Sequence, residues 1–168
     1  MKKYNLMLLL ALGPVWMNPA AARKVNKNRL GAFVQEYKGK ENIEVINLGS
    51  VALRLMRGAA KLSADSREDR EALKVMDGLN RVMIVHYDEA DARTRQRFVS
   101  GLDKILRDSE KLVEAKSDGE VVHIFGTLSG DGEKVEDVVI HVPDSGTLVC
   151  LFGSLAASQL ENVMPKTR

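Results

Sequence analysis

Cysteine is nearly absent from this sequence, since Cys150 is the only one among 168 residues. No disulfide can therefore form within the chain. Aromatic residues are also few, at 5%. The sequence contains no Gly-x-Ser-x-Gly elbow, no close-spaced ligand pair such as HxH or CxxC, and no complete phosphate-binding glycine loop. These absences exclude the enzyme classes that such motifs mark, and neither a cofactor nor a metal is predicted.

The longest apolar run lies near the N-terminus and is too short to span a membrane. In residues 1–22, two lysines precede the apolar stretch, and small residues follow it up to Ala22. A spanning helix needs roughly 20 consecutive apolar residues, whereas Gly13 and Pro14 interrupt this run. The order of positive, apolar and small residues predicts a secretory signal peptide that is cleaved near Ala22. No cysteine lies beside the cleavage point, so the mature chain is predicted to have no lipid anchor and no transmembrane segment.

An excess of one charge is also lacking once that segment is removed. The full chain has 25 lysines and arginines against 23 aspartates and glutamates, and Lys2 and Lys3 supply the difference. Residues 23–168 are therefore formally neutral, so binding to nucleic acid, which depends on basic surface, is not predicted. A chain of this length can bury a core without disulfides. Residues 23–168 are predicted to form a single domain.

The first half of this domain alternates helices with strands. Residues 26–38 predict an amphipathic helix from apolar residues at helical spacing, namely Leu30, Phe33, Val34 and Tyr37. Residues 42–49 predict a short strand. Ser50 can cap a second helix, whose inward side would consist of Val51, Ala52, Leu55, Met56 and Ala59. Residues 63–78 have few apolar anchors and predict a mobile loop with one helical turn.

The second half begins with a central strand and ends in hairpins. Residues 79–87 are rich in β-branched side chains, which favours a strand. Asp88 or Asp91 can begin a third helix, with an inward side of Phe98, Leu102, Ile105 and Leu106. From Lys111 onward, four strand-like runs alternate with Gly-rich turns, which predicts a four-stranded antiparallel meander. A short helix should follow near residues 154–160.

These elements predict an α+β fold with a single, mostly antiparallel sheet that ends in the meander. The helices should pack mainly on one face of the sheet, with the second and third helices together on that face. No repeat or second domain is indicated.

Several of these segments resemble the domain of unknown function 4252 family, which consists of small exported α+β proteins of Gram-negative bacteria. The resemblance lies in FVQEYKGKENIEVINLGSVALRLM, in LNRVMIVHY, and in the hairpin strands VVHIFG and VEDVVIHV. It implies a compact envelope domain, periplasmic or extracellular after signal cleavage, and it supplies no activity and no catalytic residues. Many members look like lipoproteins, and this chain departs from them by lacking the lipid-bearing cysteine.

Tight turns predict which side chains of the meander share a face, because side chains alternate along a strand. The turn at residues 118–119 places Glu114 opposite His123, and the turn at residues 144–145 places Ile140 opposite Val149. One side, here called the aliphatic face, should hold Val113, Ala115, Val122, Ile124, Leu128, Val138, Ile140 and Val142. The other, here called the mixed face, should hold Glu114, Lys116, Val121, His123, Phe125, Thr127, Val139, His141, Leu148, Cys150 and Phe152.

The mixed face is too apolar for ordinary surface and too polar for a core, so either the N-terminal helix or a partner should cover it. The leading prediction is a non-enzymatic protein-interaction or self-association domain. Its partner would be another envelope protein or a second copy, bound at an exposed strand edge or at the mixed face, with candidate contacts His123, Phe125, Val139, His141, Leu148, Cys150 and Phe152.

Two alternatives remain open from the sequence. The first is a small metal- or thiol-dependent enzyme that uses His123, His141 and Cys150, since imidazoles and a thiolate can ligate soft metals or act as nucleophiles. The second is a carrier of a small apolar ligand, which would need a cavity between the sheet and the helices.

Overall fold

A computed structural model describes residues 23–63, 74–117 and 119–160. The predicted signal peptide and most of the predicted mobile loop lie outside these residues, and residues 74–77 are helical. The helices are α1 (Lys27–Tyr37), α2 (Ser50–Ser63) and α3 (Ala92–Leu106). The strands are β1 (Glu44–Leu48), β2 (Leu79–His86), β3 (Lys111–Ser117), β4 (Glu120–Leu128), β5 (Lys134–Val142) and β6 (Thr147–Ala156).

The six strands form one antiparallel sheet in the order β1-β2-β6-β5-β4-β3. The predicted α+β fold with its terminal meander is thereby confirmed, and β2 is an internal strand because it pairs with both β1 and β6. The predicted register also holds, since Glu114 lies opposite His123 and Ile140 lies opposite Val149. Short turns fix that register, and Gly119 adopts the positive φ of 90° that a tight turn requires.

Helix starts follow the capping residues in the sequence. The Asn26 side chain accepts a hydrogen bond from the backbone N–H of Arg29, which begins α1. Of the two predicted caps for α3, the structure uses Asp91, whose carboxylate accepts a hydrogen bond from the backbone N–H of Thr94 at 3.0 Å. The side-chain and backbone bonds to Thr94 lower the pKa of Asp91.

The C-terminal helix begins later than predicted. Strand β6 continues through Ala156, and Ala157–Gln159 form a 3-10 turn directly after it. The strand is prolonged because Lys134 pairs with Ala156, and because the Ser154 N–H donates to the Gly78 carbonyl at 2.9 Å. These backbone bonds on both sides hold residues 154–156 in the sheet.

Helices α1 and α3 share one face of the sheet, and they are not the predicted pair. Helices α1 and α3 pack on the mixed face, where the rings of Tyr37 and Phe98 lie 4.9 Å apart edge-on. Helix α2 lies on the aliphatic face, where Leu53 joins a cluster that includes Val138 and Ile140. The prediction that α2 and α3 lie together is therefore wrong, because the mixed face carries enough apolar surface in its centre to hold α3.

The orientation of α2 also differs from the prediction. Leu53 is 1% exposed, whereas Val51, Leu55 and Met56, which were predicted to point inward, are 68%, 70% and 46% exposed. The Arg57 side chain donates to the carbonyl of Met76 at 3.1 Å, which helps to set the rotation of the helix. None of the helices in the described parts of the chain has the length and apolar content that a membrane span requires.

Candidate functional site

Most of the mixed face is the interior of the protein. Six of its seven candidate contact residues are at most 9% exposed, namely Phe125, Val139, His141, Leu148, Cys150 and Phe152. The five apolar ones among them form a single cluster with Leu30 and Val34 of α1 and with Phe98 and Leu102 of α3. The chain's own helices therefore cover this face, and the prediction that a partner binds these six side chains loses its basis. Only His123 keeps a partly exposed side chain, at 23%.

Cys150 is a packing residue in this cluster. It is 0% exposed and lies between Val139 on β5 and Met83 on β2. Burial raises the pKa of the Cys150 thiol. Since the thiolate is the nucleophile and the metal ligand, this environment opposes both functions in the folded chain.

His141 forms a buried polar pair with Tyr87. The phenolic oxygen of Tyr87 and Nε2 of His141 are 2.7 Å apart, and the two residues are 1% and 4% exposed. Burial, followed by the charge of His123, lowers the pKa of His141 to about 4. Burial, followed by the charges of Asp103 and Asp144, raises the pKa of Tyr87 to about 12. Both groups are therefore neutral near pH 7, and their contact is a hydrogen bond between uncharged partners.

The lowered pKa of His141 predicts a pH dependence of stability. The ordinary pKa is 6.5, so between about pH 6.5 and pH 4 the unfolded chain binds a proton that the folded chain excludes. The free energy of unfolding should therefore fall as the pH drops through this window, by about 3 kcal/mol from this group. Urea unfolding at several pH values should show this loss in the wild type and in a His86→Gln control, but not in His141→Gln. Parallel pH profiles for the wild type and His141→Gln would contradict this assignment.

His123 occupies the rim of the mixed face. Its Nδ1 lies 3.6 Å from a carboxylate oxygen of Glu114, which also accepts a hydrogen bond from the Lys111 ammonium at 2.6 Å. The hydrogen bond and charge of Lys111 lower the pKa of Glu114. The rings of His123 and His141 are 6.3 Å apart. The sequence therefore placed the two histidines side by side correctly, but their surroundings differ, one at the surface and one in the core.

The enzyme and carrier alternatives gain no support from the described residues. Within residues 23–63, 74–117 and 119–160, no group of three His, Cys, Asp or Glu side chains is placed to hold one metal ion. A hollow of about 550 Å³ lies near the start of β1 and the end of β2, lined by Asn42, Ile43, Glu44, His86, Asp88 and Glu89. Three of its six lining residues are acidic, which does not suit an apolar ligand.

A different surface, which the sequence reasoning missed, is exposed and apolar. In the described chain the large exposed hydrophobic residues are Val51, Leu55, Met56 and Leu128. The first three lie on one helix, with Val51 and Leu55 at the centre of its exposed side and Met56 at the edge, and this side is here called the outer side of α2. Because consecutive helix residues are about 100° apart, Val51 and Leu55 point away from the buried Leu53. The sequence signal is that α2 has more apolar positions than the sheet covers.

Comparison with known proteins gives a family but no activity. No curated protein and no solved structure shows significant similarity to this chain. A sequence model described as a domain of unknown function, DUF4252, matches residues 37–163. The matched region spans all six strands, α2 and α3. The chain therefore belongs to the DUF4252 family of domains of unknown function.

Proposed function

We propose that this chain is an exported, non-enzymatic interaction domain of the cell envelope, and that it contacts its partner through the outer side of α2. The observation that carries the proposal is the exposure of Val51, Leu55 and Met56 on one helix. Exposed apolar residues are common singly on soluble proteins, whereas a contiguous group marks an interaction surface. This surface takes the place of the mixed face, which α1 and α3 cover.

A non-enzymatic function agrees with the state of the titratable groups in the core. Cys150 lies among apolar neighbours as a thiol, and His141 is neutral and bonded to Tyr87. Each of these groups has a packing or hydrogen-bonding function that accounts for its position. None of them faces the hollow beside β1.

Export rests on the signal peptide, and cleavage near Ala22 is compatible with the packing of the residues that follow it. The Arg23 N–H donates to the Asp108 carbonyl at 2.9 Å, Arg23 forms a bridge with Ser109, and Val25 is 4% exposed. Cleavage after Ala22 would leave these contacts in place. An exported protein whose N-terminus is Arg23, as measured by mass spectrometry, would agree with this proposal.

Site-specific photocrosslinking in the native envelope tests the proposed surface. A photoreactive residue at position 55 should give adducts, because this side chain is 70% exposed on the contact surface. The same residue at position 128, which replaces an exposed leucine outside α2, is the matched control and should give few. Light scattering on the purified protein would identify a second copy as the partner. Equal yields from positions 55 and 128 would contradict the proposal.

A further inference from the structure

The charges of α2 have one sign. Its sequence, SVALRLMRGAAKLS, contains Arg54, Arg57 and Lys61 but no aspartate or glutamate. By contrast, α1 contains Glu36 and α3 contains Asp103. The helix with the exposed apolar side is therefore also the helix without acidic residues, and an anionic partner would complement it.

Contacts with the sheet and with residues 76–77 hold α2 in one orientation. Leu53 anchors α2 against the sheet, and the Arg57 guanidinium donates to the Met76 carbonyl and lies 3.6 Å from the Asp77 carboxylate. Arg54 is exposed beside Leu55. Val51 and Leu55 lie on the side away from the sheet, and Arg54 and Met56 lie at its two edges. This is the arrangement of a helix that lies in the plane of a lipid surface.

We infer that the outer side of α2 docks the protein on an anionic lipid surface. Val51, Leu55 and Met56 enter the boundary between headgroups and acyl chains, and Arg54 meets headgroup phosphates. This inference rests on the proposed function, because it assigns a partner to the same surface. The docking is peripheral and reversible, since a few aliphatic side chains supply little apolar area.

Charge favours a lipid surface over a second copy of the chain. Two α2 helices packed against each other through their outer sides would bring their Arg54 side chains together, and neither helix contains an acidic residue to pair with them. Like charges at close range repel. An anionic headgroup layer instead offers phosphates along the whole length of the helix.

Vesicle flotation tests the inference. The sample is the exported protein, and mass spectrometry determines its N-terminus. The wild type should float with vesicles of phosphatidylglycerol and phosphatidylcholine, and much less with pure phosphatidylcholine. Leu55→Asp should lower the partition constant by about tenfold or more, since it places a charge where the docked protein buries a leucine in the lipid. Arg54→Glu should weaken binding, whereas Arg54→Lys should retain it, and added salt should reduce binding in both the wild type and Arg54→Lys.

Leu128→Asp is the matched control, because Leu128 is an exposed leucine of β4, outside α2. It should bind vesicles as the wild type does, and unchanged urea midpoints should show that the variants are folded. The inference is overturned if the wild type does not bind anionic vesicles, or if Leu55→Asp and Leu128→Asp bind equally. It is also overturned if the protein forms a dimer that Leu55→Asp dissociates. Protein adducts from position 55 without vesicle binding would refute the lipid partner and leave the proposed function standing.

Discussion

Replacing Gly153 with alanine is expected to lower the free energy of unfolding by about 4 kcal/mol or more, which is exceptional for one methyl group. Gly153 has a φ of +130°, a conformation that L side chains rarely adopt. An added Cβ would overlap the Gly78 carbonyl oxygen and lie 2.9 Å from Cα of Leu79. These are backbone atoms of a neighbouring segment, so no side-chain rotation can relieve the overlap.

The surroundings of Gly153 make the position still less tolerant. Its N–H donates to a carboxylate oxygen of Asp137 at 3.1 Å, and Asp137 itself has a positive φ of 54°. The β2–β6 and β5–β6 registers both shift near this point, between Leu79 and Arg81 and between Glu136 and Val138. Three strands bend together here, so a displacement of Gly153 disturbs all three.

Urea unfolding measures this effect, and Gly130→Ala is the matched control. A Cβ at Gly130 meets nothing within 4 Å, so that variant should stay within about 0.5 kcal/mol of the wild type. Similar unfolding free energies for the two variants would show that the β2–β6 junction is not packed as described.

The Cys150 thiol is expected to react with a disulfide reagent such as DTNB at least about a thousandfold more slowly in the folded protein than in urea. The residue is 0% exposed, so modification requires the α1–α3 layer to open. An opening that costs about 5 kcal/mol is populated only about once in several thousand molecules. The raised thiol pKa slows the reaction further.

A Leu55→Cys variant provides an internal control for this experiment. Because position 55 is 70% exposed, the variant should show one fast thiol and one slow thiol in the same sample. Two fast thiols in the folded protein would mean that the mixed face is open, and they would restore the prediction of a partner at that face.

The pairing of the meander could be predicted from sequence because its turns are short. Asp-Gly and Pro-Asp-Ser-Gly turns set the register, and the register then fixed which side chains share a face. This placed Cys150 beside Val139, as the structure has them. The central hairpin has a longer loop, and there the match of apolar sides placed His123 and His141 on one face, where they pair in the structure. The residues of the turns and strands were sufficient to predict these pairs, because each pair joins two strands that are consecutive in the chain.

The covering of the two faces could not be predicted because it depends on strand order and on distant helices. The polar members of the mixed face, such as Glu114, Lys116 and His123, lie on the edge pair β3–β4, whereas Leu148 and Cys150 lie on the internal strand β6. In the observed strand order, the apolar side chains of the mixed face form a core and its polar side chains form the rim. The sequence alone does not give this order. Similarly, the apolar pattern of α2 shows which positions are apolar but not which of them the sheet covers.

Photocrosslinking from positions 55 and 123 in the native envelope tests the central claim most directly, because it compares the outer side of α2 with the exposed rim of the mixed face. If α2 is the contact surface, position 55 should give the dominant adduct and position 123 should give little. A dominant adduct from position 123, with none from position 55, would contradict the account.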